Sequence, residues 1–252
     1  MPGPSKLWAK ASRNFSRVTR CTASRALPGP STPARADRLA RKPSNLSFEE
    51  AAAVPVAGIT ALQGLRDKGR VQPGQKVLIN GASGGVGTFA VQLAKAFGAE
   101  VTGVCSTRNV EQARALGADR VVDYTREDFT KLGVRHDLML DIAGSRSFLE
   151  CRRVLKPDAT VVLIGGRMTY RRLAALPHIA GTILKSKGRS QTVTFFVANV
   201  TTEDLAFLGE LFEAGKLKSV IERQYGLSEA PEALAYLGEG HARAKIVITP
   251  SS

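Results

Sequence analysis

Apolar positions in the middle of the chain follow a helical period. Six residues fall at i, i+3, i+4, i+7, i+8 and i+11, namely Val86, Phe89, Ala90, Leu93, Ala94 and Phe97. This spacing places them on one face of an amphipathic helix, and Gly98 is a typical residue just past the helix end. The apolar run Lys76–Asn80 before them indicates a buried strand. Together, the two segments predict a helix packed against a sheet.

The same alternation continues along the chain. Further strands are predicted at Glu100–Cys105, Arg120–Asp123, Leu138–Ile142, Thr160–Ile164, Val193–Val197 and Lys245–Thr249. A capping box at Ser47-Phe48-Glu49-Glu50 predicts one helix start, and a short helix follows through Leu62 and Leu65. Other helices are predicted at Val110–Leu116, Phe148–Leu155, Leu173–Leu184, Glu203–Ala214 and Ala230–Leu237. The pattern predicts an α/β fold: a doubly wound parallel sheet of the Rossmann type with flanking helices.

Composition narrows the class of protein. With 252 residues, 43% of them hydrophobic, the chain is long enough for an ordinary buried core. No apolar run reaches the roughly 18 residues that a membrane-spanning helix needs, so we expect no membrane partner. The three cysteines are widely separated and too few for a disulfide framework, which favours a reducing compartment.

The positive charge is concentrated at the N-terminus. Ten Lys or Arg and one acid lie in the first 42 residues, a net +9 of the total +14. We expect residues 1–36, rich in Arg, Ser, Pro and Ala, to be disordered. They could be an organellar transit peptide, a basic arm for an anionic partner, or sequence that never folds because the N-terminal start is aberrant. A cytoplasmic location is predicted, with an organelle as the alternative; no specific nucleic-acid partner is expected, since no docking motif is present.

A glycine-rich turn lies between the central strand and its helix. In Gly81-Ala82-Ser83-Gly84-Gly85-Val86-Gly87, small residues let the backbone approach a pyrophosphate at the helix N-terminus. The pattern is Ala-x-Gly-x-x-Gly, a variant of the dinucleotide-binding motif. A P-loop is excluded because Thr88 and Phe89 stand where that motif needs Lys and Ser or Thr. The turn therefore predicts dinucleotide binding.

The end of the second strand of this unit indicates which dinucleotide is bound. An acid there would hold the ribose hydroxyls of NAD, but none lies between Val101 and Val110. Ser106, Thr107 and Arg108 follow the strand instead, and hydroxyl and guanidinium groups suit a 2′-phosphate. NADP(H) is the predicted cofactor. The alternative is that Arg108 is simply a solvated loop residue.

Several separated motifs, in order, resemble the medium-chain dehydrogenase/reductase superfamily and specifically its zinc-independent NADPH:quinone oxidoreductase branch. They include Leu46–Pro55, Gly58–Ala61, Gly81–Gly87, Val91–Lys95, Leu116–Asp119 and Gly240–Ile248. The resemblance implies transfer of a hydride from NADPH to a quinone or to an activated carbonyl or alkene. A small molecule of that kind is the expected partner, and a homo-oligomer is possible.

The resemblance also implies cofactor-binding residues. Ser83, Gly84, Gly85 and Val86 would hold the pyrophosphate, and Ser106, Arg108 and Tyr124 the 2′-phosphate side. The ribose and nicotinamide side would be formed by Ile142, Ile164, Gly165, Phe195 and Phe196, with Thr60 and Lys245 nearby. Ile164 and Phe195 could instead be plain core residues, and the ring of Tyr124 could cap the sheet edge. No residue stands out as a general acid, so catalytic residues are left unassigned.

The resemblance implies chemistry without a metal. Zinc-dependent relatives carry a cysteine ligand four residues before the threonine matching Thr60, and Val56 stands there. The three histidines, His136, His178 and His241, are scattered, so we expect each in a loop or at the surface rather than at a metal.

The departure from the family concerns the N-terminal side. Relatives begin with a GroES-like catalytic domain, and no such sequence precedes Asp37. We expect residues 37–215 to form the NADP-binding domain and residues 216–252 to be a C-terminal remnant of the catalytic domain. In that remnant, Val220, Ile221, Ile246 and Ile248 would lack their usual partner, and Ala244 replaces a glycine of the final motif. Three functions remain open: a reductase, a cofactor-binding but catalytically impaired fragment, and a non-enzymatic NADPH-binding protein.

Overall fold

The computed structural model describes residues 21–23, 36–164, 181–182, 190–240 and 242–250. Its strands are β1 (Cys21–Ala23), β2 (Leu39–Arg41), β3 (Lys76–Asn80), β4 (Glu100–Cys105), β5 (Arg120–Asp123), β6 (His136–Asp141), β7 (Leu155–Leu163), β8 (Thr192–Phe195), β9 (Ile221–Gly226) and β10 (Lys245–Thr249). The α-helices are α1 (Phe48–Ala52), α2 (Pro55–Gln63), α3 (Gly85–Ala96), α4 (Val110–Ala115), α5 (Phe148–Cys151), α6 (Thr202–Glu213) and α7 (Ala230–Gly238).

A parallel six-stranded sheet organises the chain, in the order β5-β4-β3-β6-β7-β8. The strand order reverses beside β3, whose neighbours are β4 on one side and β6 on the other. Crevices at such a reversal, outside the carboxyl ends of the strands, are where α/β sheets bind ligands. The predicted parallel α/β fold is confirmed.

The apolar run of residues in β3 is explained by its position in the core. Val77, Leu78 and Ile79 are fully buried because helices cover both faces of a parallel sheet. On one face, α3 packs its predicted apolar stripe, with Phe89, Ala90, Leu93 and Ala94 all inaccessible to solvent. The ring of Phe89 meets that of Phe212 from α6 edge to face, with centroids 6.3 Å apart.

Most element boundaries agree with the sequence pattern within a residue or two. The capping box forms, with Ser47 accepting from the Glu50 amide and Glu50 accepting from the Ser47 amide. The helix through Leu62 is α2, followed by a π-helical turn at Gly64–Lys68. The predicted helix Leu173–Leu184 lies almost entirely outside the described residues.

One boundary was misplaced around a proline. The predicted helix Phe148–Leu155 ends as α5 at Cys151 with a 3-10 turn at Arg152–Val154, and β7 begins at Leu155 rather than at Thr160. Pro157 hides this start in the sequence because proline is rare inside strands. The proline lies where the pairing shifts register, between the partners of His136 and Leu138, so no ladder hydrogen bond is needed there.

The expectation that His136 lies in a loop or at the surface is wrong. This histidine begins β6 and is 1% exposed. Its Nδ1 donates to the Val154 carbonyl at 2.9 Å, and Nε2 accepts from Thr102 Oγ1 at 3.2 Å. Burial lowers its pKa, so the ring is held neutral as a structural bridge. His178 and His241 lie outside the described residues.

Two short strand pairs stand apart from the main sheet. β1 pairs antiparallel with β2, so Cys21–Ala23 adopts strand structure within the segment expected to be disordered. β9 and β10 form a parallel pair in the C-terminal segment. Only β10 was anticipated from the sequence, since in β9 the run Glu222-Arg223-Gln224 is polar. A β-bridge between Gly84 and Ala244 joins the C-terminal segment to the turn that follows β3.

Candidate functional site

The glycine-rich turn is a tight link between β3 and α3. Gly81 has a φ of 97°, a conformation that favours glycine, and its carbonyl accepts from the Gly84 amide at 3.2 Å. A methyl group at Gly87 would overlap the Gly81 carbonyl oxygen and lie 2.8 Å from the Ala82 carbonyl carbon. Glycine at position 87 therefore lets the first helical turn of α3 pack directly on the loop formed by Gly81 and Ala82.

The N-terminus of α3 has no side-chain cap. Gly84 is its N-cap residue. The first amides of a helix lack intrahelical partners and lie at the positive end of its dipole. A phosphate group placed there would meet backbone N–H groups at the point where β3 ends.

Predicted site residues lie at the carboxyl ends of successive strands. Each follows directly on its strand or ends it: Ser106 on β4, Tyr124 on β5, Ile142 on β6, Ile164 on β7, and Phe195 and Phe196 on β8. Backbone bonds join these ends laterally, since Ile142 N donates to Asn80 O at 3.0 Å and Ile164 N to Asp141 O at 2.9 Å. One edge of the sheet therefore brings together most of the predicted set. Gly165 lies outside the described residues.

The predicted core alternative applies to some of these residues. Ile164 is buried and contacts the helical turn after α2, since a Cβ at Gly64 would lie 2.8 Å from its Cδ1. Phe196 is half-buried, and Lys68 Nζ lies 5.9 Å from its ring centroid. Phe195, at 42% exposure, and Tyr124, at 58%, are too open for core residues. Both rings border solvent at the strand ends.

Thr60 and Lys245 lie outside the main sheet. Thr60 lies in α2, where its hydroxyl donates to the Val56 carbonyl at 2.6 Å. Lys245 begins β10 and covers Gly85, because a Cβ on that glycine would lie 2.8 Å from Lys245 Cδ and 3.7 Å from Nζ. The ammonium group thus lies over the first residue of α3.

The C-terminal segment fixes Lys245 in place through backbone contacts. Ala244 N donates to Ser83 O at 2.9 Å, and Lys245 N donates to Val220 O at 3.1 Å. Burial lowers the pKa of the Lys245 amine. A half-buried cation beside this helix N-terminus is complementary to a diphosphate.

The predicted 2′-phosphate side is built around a short 3-10 turn, Thr107–Asn109. Ser106 is half-buried at its start, whereas Arg108 is exposed. The hydrogen bond from Tyr236 to Glu222 raises the pKa of the Tyr236 phenol, and the charge of Arg108 acts in the opposite direction. The charge of Arg108 therefore acts electrostatically on Tyr236 of α7.

The sequence search for an acid missed Asp123. This residue ends β5 opposite Cys105, so the sheet brings a carboxylate beside the end of β4. Its Oδ2 accepts from Thr107 Oγ1 at 2.5 Å, and its Oδ1 accepts from the amide and hydroxyl of Thr125. These bonds lower the pKa of Asp123. The carboxylate is ionised and already engaged by local hydroxyls.

Three further polar residues of the site were missed. Asn80 and Asp141 end β3 and β6, and Asn80 Nδ2 donates to Asp141 Oδ1 at 2.7 Å. Asp141 Oδ1 also accepts from Gly144 N at 3.0 Å. Asn109 Nδ2 donates to both Ser83 Oγ and Ser106 Oγ. A polar residue closing an otherwise apolar strand was the available signal for the first two; for Asn109, no pattern distinguishes it from a helix cap.

The described residues do not form a metal centre. They contain no group of three His, Cys, Asp or Glu arranged to hold a metal, and Val56 lies 59% exposed on α2. Cys105 and Cys151 are free and buried, and burial raises the pKa of both thiols, that of Cys105 to about 11. No described helix combines the length and the apolar character needed to span a bilayer.

A cavity of about 550 Å³ lies away from this edge. Its walls include Lys95 and Ala96 at the carboxyl end of α3 and Lys216 and Lys218 after α6. Three helices, α3, α4 and α6, end beside it, so its lysines face the negative ends of helix dipoles. The strand ends, rather than this cavity, carry the candidate chemistry.

Sheet order and turn geometry together define the class of Rossmann-type α/β proteins. A family model described as "Zinc-binding dehydrogenase" matches residues 116–248. The chain belongs to this dehydrogenase family, within the medium-chain dehydrogenase/reductase superfamily.

Similar proteins agree with this membership. The chain is 36% identical over 219 residues to a chloroplast envelope quinone oxidoreductase homolog from Arabidopsis thaliana, covering 83% of this chain and 64% of that protein. It is 37% identical over 235 residues to a mitochondrial NAD(P)H oxidoreductase from Homo sapiens, covering 84% and 58%. The solved quinone oxidoreductase from Coxiella burnetii matches with a TM-score of 0.74 at 33% identity, covering 85% and 65%. The chain thus spans about three fifths of the length of these relatives.

Proposed function

We propose that this protein is an NADPH-dependent oxidoreductase of the quinone oxidoreductase type. NADPH supplies a hydride from its nicotinamide, and the acceptor is a quinone or an activated carbonyl or alkene. The names of the relatives in Arabidopsis thaliana and Coxiella burnetii support the quinone class of acceptor. The part played by this chain's own residues is to bind and orient the dinucleotide.

The observation that carries the proposal is the fit of the turn to a diphosphate. Gly84 and Gly85 place no side chain of their own over the first amides of α3, and Gly87 brings the helix against the turn. Lys245 adds a half-buried positive charge over the same amides. All of these groups lie where the strand order reverses, the expected position for a dinucleotide.

We propose that the residues after β4 give the protein a preference for NADPH over NADH. Ser106 offers a hydroxyl, and Arg108 offers an exposed guanidinium for a 2′-phosphate. The rival reading is that Asp123 accepts from the ribose hydroxyls of NADH. Both oxygens of Asp123 are already bonded to Thr107 and Thr125, which leaves the carboxylate poorly disposed for a ribose.

Ile142, Ile164, Gly165, Phe195 and Phe196 are proposed to contact the ribose and nicotinamide. Those among the described residues lie at the carboxyl ends of β6, β7 and β8, on the side of the turn away from Ser106. Apolar side chains there would hold the nicotinamide ring and exclude water from the hydride. Zinc is not part of this proposal, because Val56 has no ligand atom to offer.

A second function, cofactor binding with weak turnover, is favoured by the openness of the acceptor side. Phe195 is 42% exposed and Val197 is 82% exposed at the end of β8. An acceptor bound there would remain in contact with water, which weakens electrostatic stabilisation of the transition state. The proposed organisation is a basic segment (1–36), the NADP-binding domain (37–215) and a C-terminal segment (216–252) that borders the pyrophosphate turn.

Loss of nicotinamide absorbance in the presence of a small quinone, against a cofactor-only control, tests the two functions. Turnover on the order of 1 to 10³ per second would support the reductase. NADPH binding with turnover near the control would support the second function. Absence of NADPH binding would contradict both.

A further inference from the structure

Asn109 is buried at the candidate 2′-phosphate side, and its environment is unusual for a residue in its position. It is the N-cap residue of α4, a place where asparagine normally accepts from a backbone amide of the first helical turn. Here its side chain makes no such bond. Capping therefore does not explain why a polar side chain is buried there at 4% exposure.

The amide nitrogen of Asn109 instead joins two serines. Nδ2 donates to Ser83 Oγ at 3.1 Å and to Ser106 Oγ at 3.0 Å. Ser83 lies in the glycine-rich turn after β3, whereas Ser106 follows β4. One side chain thus ties the two proposed phosphate-binding segments together, and both hydroxyl oxygens lie around a single nitrogen atom.

The direction of these hydrogen bonds determines whether each serine hydroxyl acts as a donor or as an acceptor. An amide NH₂ group can only donate, so each serine oxygen acts as an acceptor toward Asn109. The hydroxyl hydrogen of each serine is then available to donate to another group. No acceptor for either hydrogen occurs among the described residues, and a phosphate dianion accepts such bonds strongly.

The side-chain oxygen of Asn109 also indicates that this asparagine has a functional role. Asn109 Oδ1 is buried without a hydrogen-bond partner among the described residues. A buried acceptor without a partner is costly, and an apolar side chain of similar shape would avoid that cost. The residue type is therefore not explained by stability of the fold.

We infer that Asn109 is a positioning residue for NADPH selectivity, which directs the hydroxyl hydrogens of Ser83 and Ser106 toward the 2′-phosphate. The resemblance assigned Ser83 to the pyrophosphate; the inference moves its hydroxyl to the 2′-phosphate side, because its oxygen shares one donor nitrogen with Ser106. This inference rests on the proposed binding of NADPH. It adds a residue that touches no cofactor atom and acts through the two serines.

The test compares adenosine 2′,5′-bisphosphate with 5′-AMP as ligands, using calorimetry on the full chain. These probes differ by the 2′-phosphate alone. The wild type is expected to prefer the bisphosphate by about tenfold or more, as expected for charge-assisted bonds. Asn109→Ala and Asn109→Leu should each reduce this preference to about threefold or less, with little change in AMP affinity. Asn109→Leu keeps the branching at Cγ and removes the orphan oxygen, and Asn109→Ala adds no volume to the site, so agreement of the two variants separates the effect from a change in packing.

Asn109→Leu is also made in a protein that carries Ser83→Ala and Ser106→Ala. This variant shows whether Asn109 acts by positioning the serines or only by supporting the fold. If Asn109 acts through the serines, Asn109→Leu will have almost no further effect there. Equal loss of affinity for both probes, or an equal effect in both backgrounds, would overturn the inference.

Gln92→Leu is the matched control. This buried amide donates to the Thr88 and Lys218 carbonyls away from the serines, so its loss should leave the bisphosphate preference unchanged. A wild type that binds NADPH but ignores the 2′-phosphate would overturn the inference while leaving dinucleotide binding intact. A wild type that binds neither dinucleotide would overturn the proposed function and the inference together.

Discussion

The two regions that meet at Gly84 and Ala244 are built differently. Around the turn, most of β3 and α3 is buried, with Val77, Leu78 and Ile79 at 0% exposure. In the C-terminal segment, Leu234 and Leu237 of α7 are each 55% exposed, and Ile248 of β10 is 39% exposed. Burying a side chain of this size is worth about 1.5–3 kcal/mol, which the first region gains and the second largely forgoes.

This difference in burial indicates that the two regions have different roles in cofactor binding. The sheet holds the turn rigid through its own core, whereas the C-terminal segment adds one charged side chain, Lys245, while remaining weakly buried. We expect the turn to determine whether a dinucleotide is bound and the segment to modulate how tightly it is bound.

The largest effect is expected at Gly87. Gly87→Ala would push a methyl group into the Gly81 carbonyl and should cost at least about 2 kcal/mol of unfolding free energy and abolish NADPH binding. Thermal unfolding and calorimetry measure the two effects. The control is Gly209→Ala in α6, where a Cβ meets only Pro43 Cγ at 3.5 Å and helix propensity improves. Gly87→Ala behaving like this control would contradict the role of the turn.

An intermediate effect is expected at Lys245, the point of contact between the regions. Lys245→Met should weaken NADPH binding about tenfold, the worth of one charge-assisted bond. Because burial lowers the pKa of this amine, raising the pH above neutrality deprotonates it earlier than an ordinary lysine. NADPH affinity of the wild type should therefore fall with rising pH, and that of Lys245→Arg should fall less.

Lys95→Met provides the control for charge. Lys95 lies at the other end of α3 and is already paired with Asp119 at 2.8 Å. Its replacement should leave affinity and its pH dependence unchanged. Equal behaviour of the two methionine variants would show that Lys245 does not bind the cofactor.

The smallest effect is expected at Ala244, whose φ of 72° is unusual for a residue with a side chain. Ala244→Gly should relieve this strain and stabilise the protein by about 0.5–1 kcal/mol, seen as a higher unfolding temperature. Ala235→Gly, on the exposed face of helix α7, should instead destabilise by about 1 kcal/mol. If both substitutions destabilise equally, the strain at position 244 is not real.

The sequence allowed the sheet to be predicted because its strands are strongly patterned. Lys76–Asn80 and Glu100–Cys105 were predicted with their observed bounds, as was β10. β9 was missed because Glu222, Arg223 and Gln224 interrupt its apolar pattern. Pro157 concealed the start of β7 in a similar way.

The candidate site could be predicted only where residues are close in sequence. The turn was visible as a motif, and the residues following each strand were assigned by resemblance and remain proposals. Asp123 and Asn109 were missed because their roles depend on pairing between β4 and β5 and on two serines far apart in sequence. Such contacts depend on tertiary structure, which local pattern does not encode.

The central claim is that this protein binds NADPH at the glycine-rich turn, and that its preference for NADPH over NADH is determined by Ser106 and Arg108, which follow β4. Calorimetric titration with NADPH and NADH, repeated on Arg108→Ala, tests it most directly. The account predicts tighter binding of NADPH by about tenfold or more, and a loss of most of this preference in Arg108→Ala. Equal affinities for the two dinucleotides, or an Arg108→Ala variant with unchanged NADPH affinity, would contradict it.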